Sequence, residues 1–282
     1  MNNTNIEDSA SYLQSIAKDD IPIIQFHILN QIPGIIHGFS TKLGGVSEGP
    51  FATMNLSFTR GDKKEHVMEN FRRISERLGF SLDNLVLSSQ THTTNVLLVT
   101  KRDRGEGIMK KTFQDVDGLI TNDENVVLCT SYADCVPLYF VDLKTKAIGL
   151  SHSGWRGTAN RMGEHTIQAM NKAFGSKPDD IVCAIGPSIC QTCYEVDDIV
   201  IDEIKNHFPN SQWADIFYET KPGKYQLDLW KANEYILLDS GIKKEHIDTR
   251  RICTCCNHDI LFSHRKTAGK RGNLCAFLYK SP

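Results

Sequence analysis

Apolar residues recur along this chain at two periods. Val67, Phe71, Ile74 and Leu78 repeat at helical spacing; Asp62 with Glu65 three positions on resembles a capping box ahead of them, and Gly79 supplies a stop. A second helix is expected to begin near Thr158, carry Met162, Ile167, Met170 and Phe174, and end at Gly175. A third is opened by Asp228, runs through Ile236 and stops before Gly241, and a weaker fourth spans Ile199 to Phe208 ahead of Pro209. Between them lie short β-rich runs: Ile35 to Phe39, Leu85 to Leu87, Val96 to Val99, Val126 to Tyr132, Leu138 to Val141, Ala147 to Leu150, Ile181 to Ile185 and Leu274 to Leu278. The alternation predicts an α/β protein with α+β character: a single-domain α/β/α sandwich around a mixed β-sheet. The close spacing of runs from Val126 to Leu150 suggests a hairpin or meander and argues against a purely parallel sheet. Residues 1–20 read as an N-terminal segment, partly disordered, and 21–282 as one catalytic domain.

Composition narrows the class without naming a partner. With 40% hydrophobic and 23% charged residues and a formal net charge of -2, the chain offers no basic surface for nucleic acid. Neither an export signal in the first twenty residues nor a membrane-length apolar run is present, so a cytoplasmic location is expected, as a monomer or weak homo-oligomer. Nine cysteines, an odd number, are expected to be reduced. Cys190-Gln-Thr-Cys193 and Cys253-Thr-Cys-Cys256 could close a metal site, but their flanks do not resemble zinc-ribbon knuckles, and small thiols in a core or on loops are the favoured reading.

The chemistry concentrates at three residues near the ends of apolar runs: His92, Cys135 and His152. Three scattered ligands that leave a fourth position open are the pattern of a catalytic zinc site, whereas structural sites use four ligands in short pairs. Spacing alone leaves open hydrogen-bonded structural histidines and a core cysteine.

Further segments stand out: His37-Gly-Phe-Ser-Thr-Lys-Leu-Gly-Gly-Val-Ser47, Asp117-Gly-Leu-Ile-Thr121, Ala133-Asp-Cys-Val-Pro137, His152-Ser-Gly-Trp-Arg-Gly157, Ile185-Gly-Pro-Ser-Ile189 with Tyr194-Glu-Val196, and Phe262-Ser-His-Arg265. Together they resemble the YfiH family, whose members carry the labels laccase-domain protein, polyphenol oxidase, peptidoglycan editing factor and purine nucleoside phosphorylase. By that resemblance His92, Cys135 and His152 match the family's metal ligands, with Zn2+ the expected ion and Cu2+ the alternative. It also implies phosphorolysis of adenosine, inosine, guanosine and methylthioadenosine, and hydrolytic deamination of adenosine, with purine nucleosides and phosphate as partners. The sequence departs from the usual family pattern at Lys42, where many relatives carry Arg, at Thr59-Arg60-Gly61-Asp62, and at His264, where Tyr is usual. Lys lacks the planar fork with which Arg grips an anion, so these departures bear on phosphate affinity.

Either reaction needs more than a metal. Asp134 is the first candidate for proton transfer in deamination, provided the backbone turns to bring it to the pocket, with orientation of a ligand or capping of a turn as its structural role. Phosphorolysis needs an anion site, for which Arg156 is the first candidate and Lys42 and Arg265 the next. Ser40, Asn55 and Gln90 are candidates to orient substrate hydroxyls or water, and Trp155 is either a stacking platform or a packing residue. Two other classes compete: copper-dependent phenol oxidation, poorly supported by ten scattered histidines, and a cysteine hydrolase acting on amides such as peptidoglycan precursors, with Cys135 as nucleophile and His92 or His152 as base.

Overall fold

The computed structural model describes residues 12, 13 and 16–282, so most of the N-terminal segment expected to be partly disordered lies outside the described residues. Fourteen strands among the described residues build three sheets. The first runs β1 (Ile23–Ile24), β2 (Ile35–Ser40), β14 (Leu274–Lys280), β6 (Val127–Tyr132), β3 (Leu85–Leu87). The second runs β13 (Ile247–Thr249), β9 (Ile181–Ile185), β7 (Val136–Asp142), β8 (Ile148–Ser153), β5 (Gly118–Thr121), β4 (Val96–Leu98). Both are mixed: β3 pairs parallel with β6 and β14 antiparallel with it, while β4 runs parallel to β5 and β13 to β9. A third, antiparallel sheet joins β10 (Glu195–Asp197), β12 (Lys224–Leu227) and β11 (Phe217–Lys221).

The two large sheets face each other, and the alternation of side chains along their strands shows it. On β14, Leu274, Ala276 and Leu278 enter the core shared by both sheets, whereas Cys275, Phe277 and Tyr279 pack under the outer helix. On β7, Tyr139 and Val141 meet that shared core, while Val136, Leu138 and Phe140 meet the opposite helical layer. A strand covered on both faces reads as an unbroken apolar run, because successive side chains point to opposite sides and both sides are dry. The α/β class and the outer helices therefore stand as expected, but the single central sheet is doubled, giving four layers. Struts cross the seam: the Tyr132 hydroxyl donates to the Ser151 carbonyl at 3.0 Å and the Tyr139 hydroxyl to that of Gly38 at 3.1 Å.

The helix Lys64–Leu78 buries Val67, Phe71, Ile74 and Leu78 against the first sheet and ends at Gly79, whose left-handed φ of 78° carries no steric penalty in glycine. Its expected capping box is absent. Asp62 instead accepts from the Lys63 backbone, from Ser47 and from Asn55, and Lys63 occupies the N-cap without a side-chain bond. The helix expected from Thr158 is two helices, Trp155–Ala159 and Met162–Phe174, broken at Arg161, which is left-handed at φ 58°. Thr158 belongs to the first of these, its hydroxyl held in a buried cluster with Ser153 and Asn233. Asp228 caps the helix Leu229–Asp239 through the Lys231 N–H, as expected, and the fourth helix is Asp198–His207. No helix of the described residues is long and apolar enough to cross a membrane.

Candidate metal centre and active-site cavity

Three chain segments converge where the path crosses from one large sheet to the other. His92 lies on the loop after β3, left-handed at φ 66°. Cys135 ends the short turn between β6 and β7, and Asp134 takes the strain of that turn at φ 87°. His152 is the penultimate residue of β8, opposite Pro137. One ligand atom from each of the three lies within 4.8 Å of the others.

Asp117, at the start of β5, organises both histidines and is fully buried. Its carboxylate accepts from the backbone N–H of Thr91, His92 and Thr93 at 3.1, 3.1 and 2.9 Å, which holds the His92 loop in its unusual turn. The same carboxylate lies 2.8 Å from His152 Nδ1, and the Asp117 carbonyl accepts from the His152 N–H at 2.8 Å. Burial disfavours its charged form, but the His152 bond and the backbone donors outweigh this and hold its pKa at about 2. For His152 burial again opposes the charge, and Cys135 together with Asp117 overrides it, pushing the pKa up to about 9. The pocket thus favours positive charge at that ring, and a metal cation satisfies the same preference.

The donor set fits a metal. With Nδ1 engaged by Asp117, His152 offers Nε2, the carboxylate–histidine pairing that fixes a ligand's tautomer. Two imidazoles and a thiolate suit zinc, and copper as well. Gly154 closes the floor: a Cβ there would lie 2.8 Å from His92 Nδ1 and 3.1 Å from Cys135 Sγ, so a larger residue would displace ligands.

The three ligands line one wall of a cavity of about 740 Å³, a volume suited to a small-molecule ligand. Arg60, Lys111, Arg156, Arg265 and Arg271 line the same cavity. Among the described residues none of these five has a carboxylate oxygen within 4.0 Å of its charged nitrogens. Arg271 is pushed down to a pKa of about 10, first by burial and then by its neighbour Arg60. Asp134 and Glu106 line the cavity too, but five cations without direct carboxylate partners give it the character of an anion site. Arg156 lies over the Trp155 ring at 4.2 Å, and Arg265 over Tyr194 at 5.1 Å.

The remaining sequence candidates divide. Gln90 lines the cavity but spends its amide on both backbone groups of Ser131, at 2.6 and 2.9 Å. Asp134 lines it too, with one oxygen accepting from Thr254 at 2.6 Å and the other from the Arg265 N–H at 2.7 Å. Ser40, Lys42 and Asn55 do not line it. Ser40 accepts from the Cys275 N–H, the Lys42 backbone ties to Ile260 and Thr53, and Asn55 is saturated by Ser57, Asp62 and Asn273. Sequence reasoning missed Asp117 and Arg271 and saw Arg60 only as a departure from a pattern; the quoted Asp117-Gly-Leu-Ile-Thr121 segment was the available signal for the first.

The chain has relatives among known proteins. The chain is 40% identical over 250 residues, covering 87% of it and 90% of the relative, to a protein of Geobacillus stearothermophilus named purine nucleoside phosphorylase YlmD. It is 32% identical over 249 residues, covering 87% of it and 94% of the relative, to adenosine deaminase RL5 from an unknown prokaryotic organism. The crystal structure of YlmD from Geobacillus stearothermophilus superposes with a TM-score of 0.84 at 39% identity, covering 89% of this chain and 93% of that one. Residues 36–281 match the family model described as multi-copper polyphenol oxidoreductase laccase, and the chain belongs to that family.

Proposed function

We propose that this chain is a zinc-dependent purine nucleoside phosphorylase, acting on adenosine, inosine, guanosine and methylthioadenosine, that also deaminates adenosine. The observation that carries the reading is the sharing of one cavity by the His92, Cys135 and His152 ligand set and five cations without carboxylate partners. The names of the relatives point the same way.

A zinc ion held by the three ligands supplies a Lewis-acid charge at the cavity wall. Arg60 and Arg271, with Arg156 and Arg265 nearer the rim, hold phosphate. One phosphate oxygen bonds to the sugar C1 as the C1–N9 bond breaks; the bond pair stays on the purine, which takes up a proton. Trp155 and Tyr194 offer aromatic faces to the base. Asp117 keeps both histidines in place, and Asp134, with both oxygens engaged, positions the rim instead of moving a proton. In deamination, water adds at the purine C6 and ammonia leaves.

The test is adenosine turnover by metal-quantified protein with and without phosphate, following adenine, inosine and hypoxanthine by chromatography. Phosphate-dependent adenine supports the phosphorylase, and inosine without phosphate supports the deaminase; no product from zinc-loaded protein overturns both.

One arrangement favours a second reading. Asp117, His152 and Cys135 stand in the order of a catalytic triad, which suits a cysteine hydrolase. Alkylation of Cys135 separates the two: slow labelling that accelerates after chelation marks a ligand, whereas fast labelling indifferent to metal marks a nucleophile.

A further inference from the structure

Behind the rim of this cavity the fold brings together two Cys-x-x-Cys turns that lie far apart in sequence. Cys190 and Cys193 flank the turn after β9, and Cys253 and Cys256 lie on the loop after β13. Their four sulfur atoms lie within 4.8 Å of one another. Cys256 Sγ stands 3.5 Å from that of Cys193 and 3.9 Å from that of Cys190. With zinc–sulfur bonds of about 2.3 Å, the edge of a tetrahedron of thiolates is about 3.8 Å, so these separations are those of a site ready to close on an ion. Two backbone donors, the N–H groups of Cys190 and Cys256, point at Cys253 Sγ at 3.3 Å each, contacts that a metal-bound sulfur accepts.

We propose that Cys190, Cys193, Cys253 and Cys256 form a second, structural metal site, a four-thiolate zinc centre separate from the His92, Cys135 and His152 set. All four coordination positions are filled by protein, in two short pairs, which is the mark of a structural and not a catalytic ion. Binding replaces the thiol protons, which go to solvent, and involves no change of oxidation state. Cys255, between Cys253 and Cys256, is not one of the four converging sulfurs.

The placement gives the ion a task. Strand-like bonds from Ser188 to Ile252 and Thr254 join the same two loops, at 3.2 and 3.0 Å. Thr254, next to Cys253, holds the Asp134 carboxylate at 2.6 Å, and Tyr194, next to Cys193, lines the cavity. The centre therefore clasps the two loops that carry one side of the cavity rim.

The experiment is metal quantification of the full-length protein, with cobalt substitution to report ligand type. The wild type should carry about two zinc ions per chain, and Cys193→Ser with Cys256→Ser should lose one of them and unfold at lower temperature. Because that variant risks misfolding, His92→Ala with His152→Ala provides the complementary measurement. It should keep about one ion per chain, and its cobalt form should show the intense thiolate-to-metal absorption of a four-sulfur site. A histidine variant free of metal overturns the proposal. So does a mass two daltons low in the native protein, which would place a disulfide where the ion is expected.

Discussion

Asp117 grips His152 at two points, its carboxylate at ring Nδ1 and its carbonyl at the backbone N–H, both at 2.8 Å, while the same carboxylate ties down the loop that carries His92. A residue that does not line the cavity thus sets the positions of two of the three candidate ligands.

Replacing it should therefore act on the metal before the chemistry. Asp117→Asn should weaken zinc binding by about 10- to 100-fold, the range typical for a lost partner of a ligating histidine. Titration against a competing chelator measures this, and unchanged affinity would remove Asp117 from the site.

Gly154→Ala puts a methyl carbon 2.8 Å from His92 Nδ1. The backbone there is ordinary, with φ at -73°, so the substitution should leave melting temperature nearly unchanged while metal content falls. A large drop in melting temperature with full metal content would contradict this account.

The cations of the cavity should matter to one reaction more than to the other. Removing a charged hydrogen-bonding partner costs about 1.5–3 kcal/mol, so Arg60→Ala or Arg271→Ala should raise the KM for phosphate about 10- to 100-fold. Deamination of adenosine, which uses no phosphate, should change much less. Equal losses in both reactions would indicate a collapsed cavity and not a phosphate site.

His37 predicts an acid limb in stability. The ring is buried, its Nε2 accepts from the Phe26 N–H at 2.8 Å, and its buried Nδ1 has no partner among the described residues. Burial lowers its pKa from 6.5 to about 4, so between those values the unfolded chain binds the proton and the folded chain does not. Its contribution is complete above pH 6.5 and is lost as pH falls toward 4, about 3 kcal/mol in all. Denaturant melts across that window should show the slope in the wild type and a shallower one in His37→Gln, which keeps an acceptor but does not titrate.

The candidate ligands His92, Cys135 and His152, which the fold brings together, were legible because each sits beside an apolar run in a segment with a specific pattern, and the helix ending at Gly79 because its period and stop are local. Asp117 was not, since a carboxylate's partners here lie up to 35 positions away and only strand pairing brings them together. The doubled sheet was hidden for a related reason: strands such as β7, buried on both faces, look alike whether a helix or another sheet covers them. The split at Arg161 turns on one residue's backbone angle, which apolar periodicity does not register. The exposed hairpin of β11 and β12 escaped because its outer residues, Tyr218 to Lys221, carry no apolar alternation. The cysteine pairs carried the right internal spacing, yet which pair meets which is a property of the fold.

The crossing point between the sheets has a further consequence. His92 and Cys135 leave the first large sheet and His152 belongs to the second, so the ligand set straddles the interface between two stacked slabs. Tyr132 and Tyr139 bridge the same interface, their hydroxyls bonded to the Ser151 and Gly38 carbonyls. Packing between the slabs therefore bears on how far His152 stands from His92 and Cys135, even where it touches none of them.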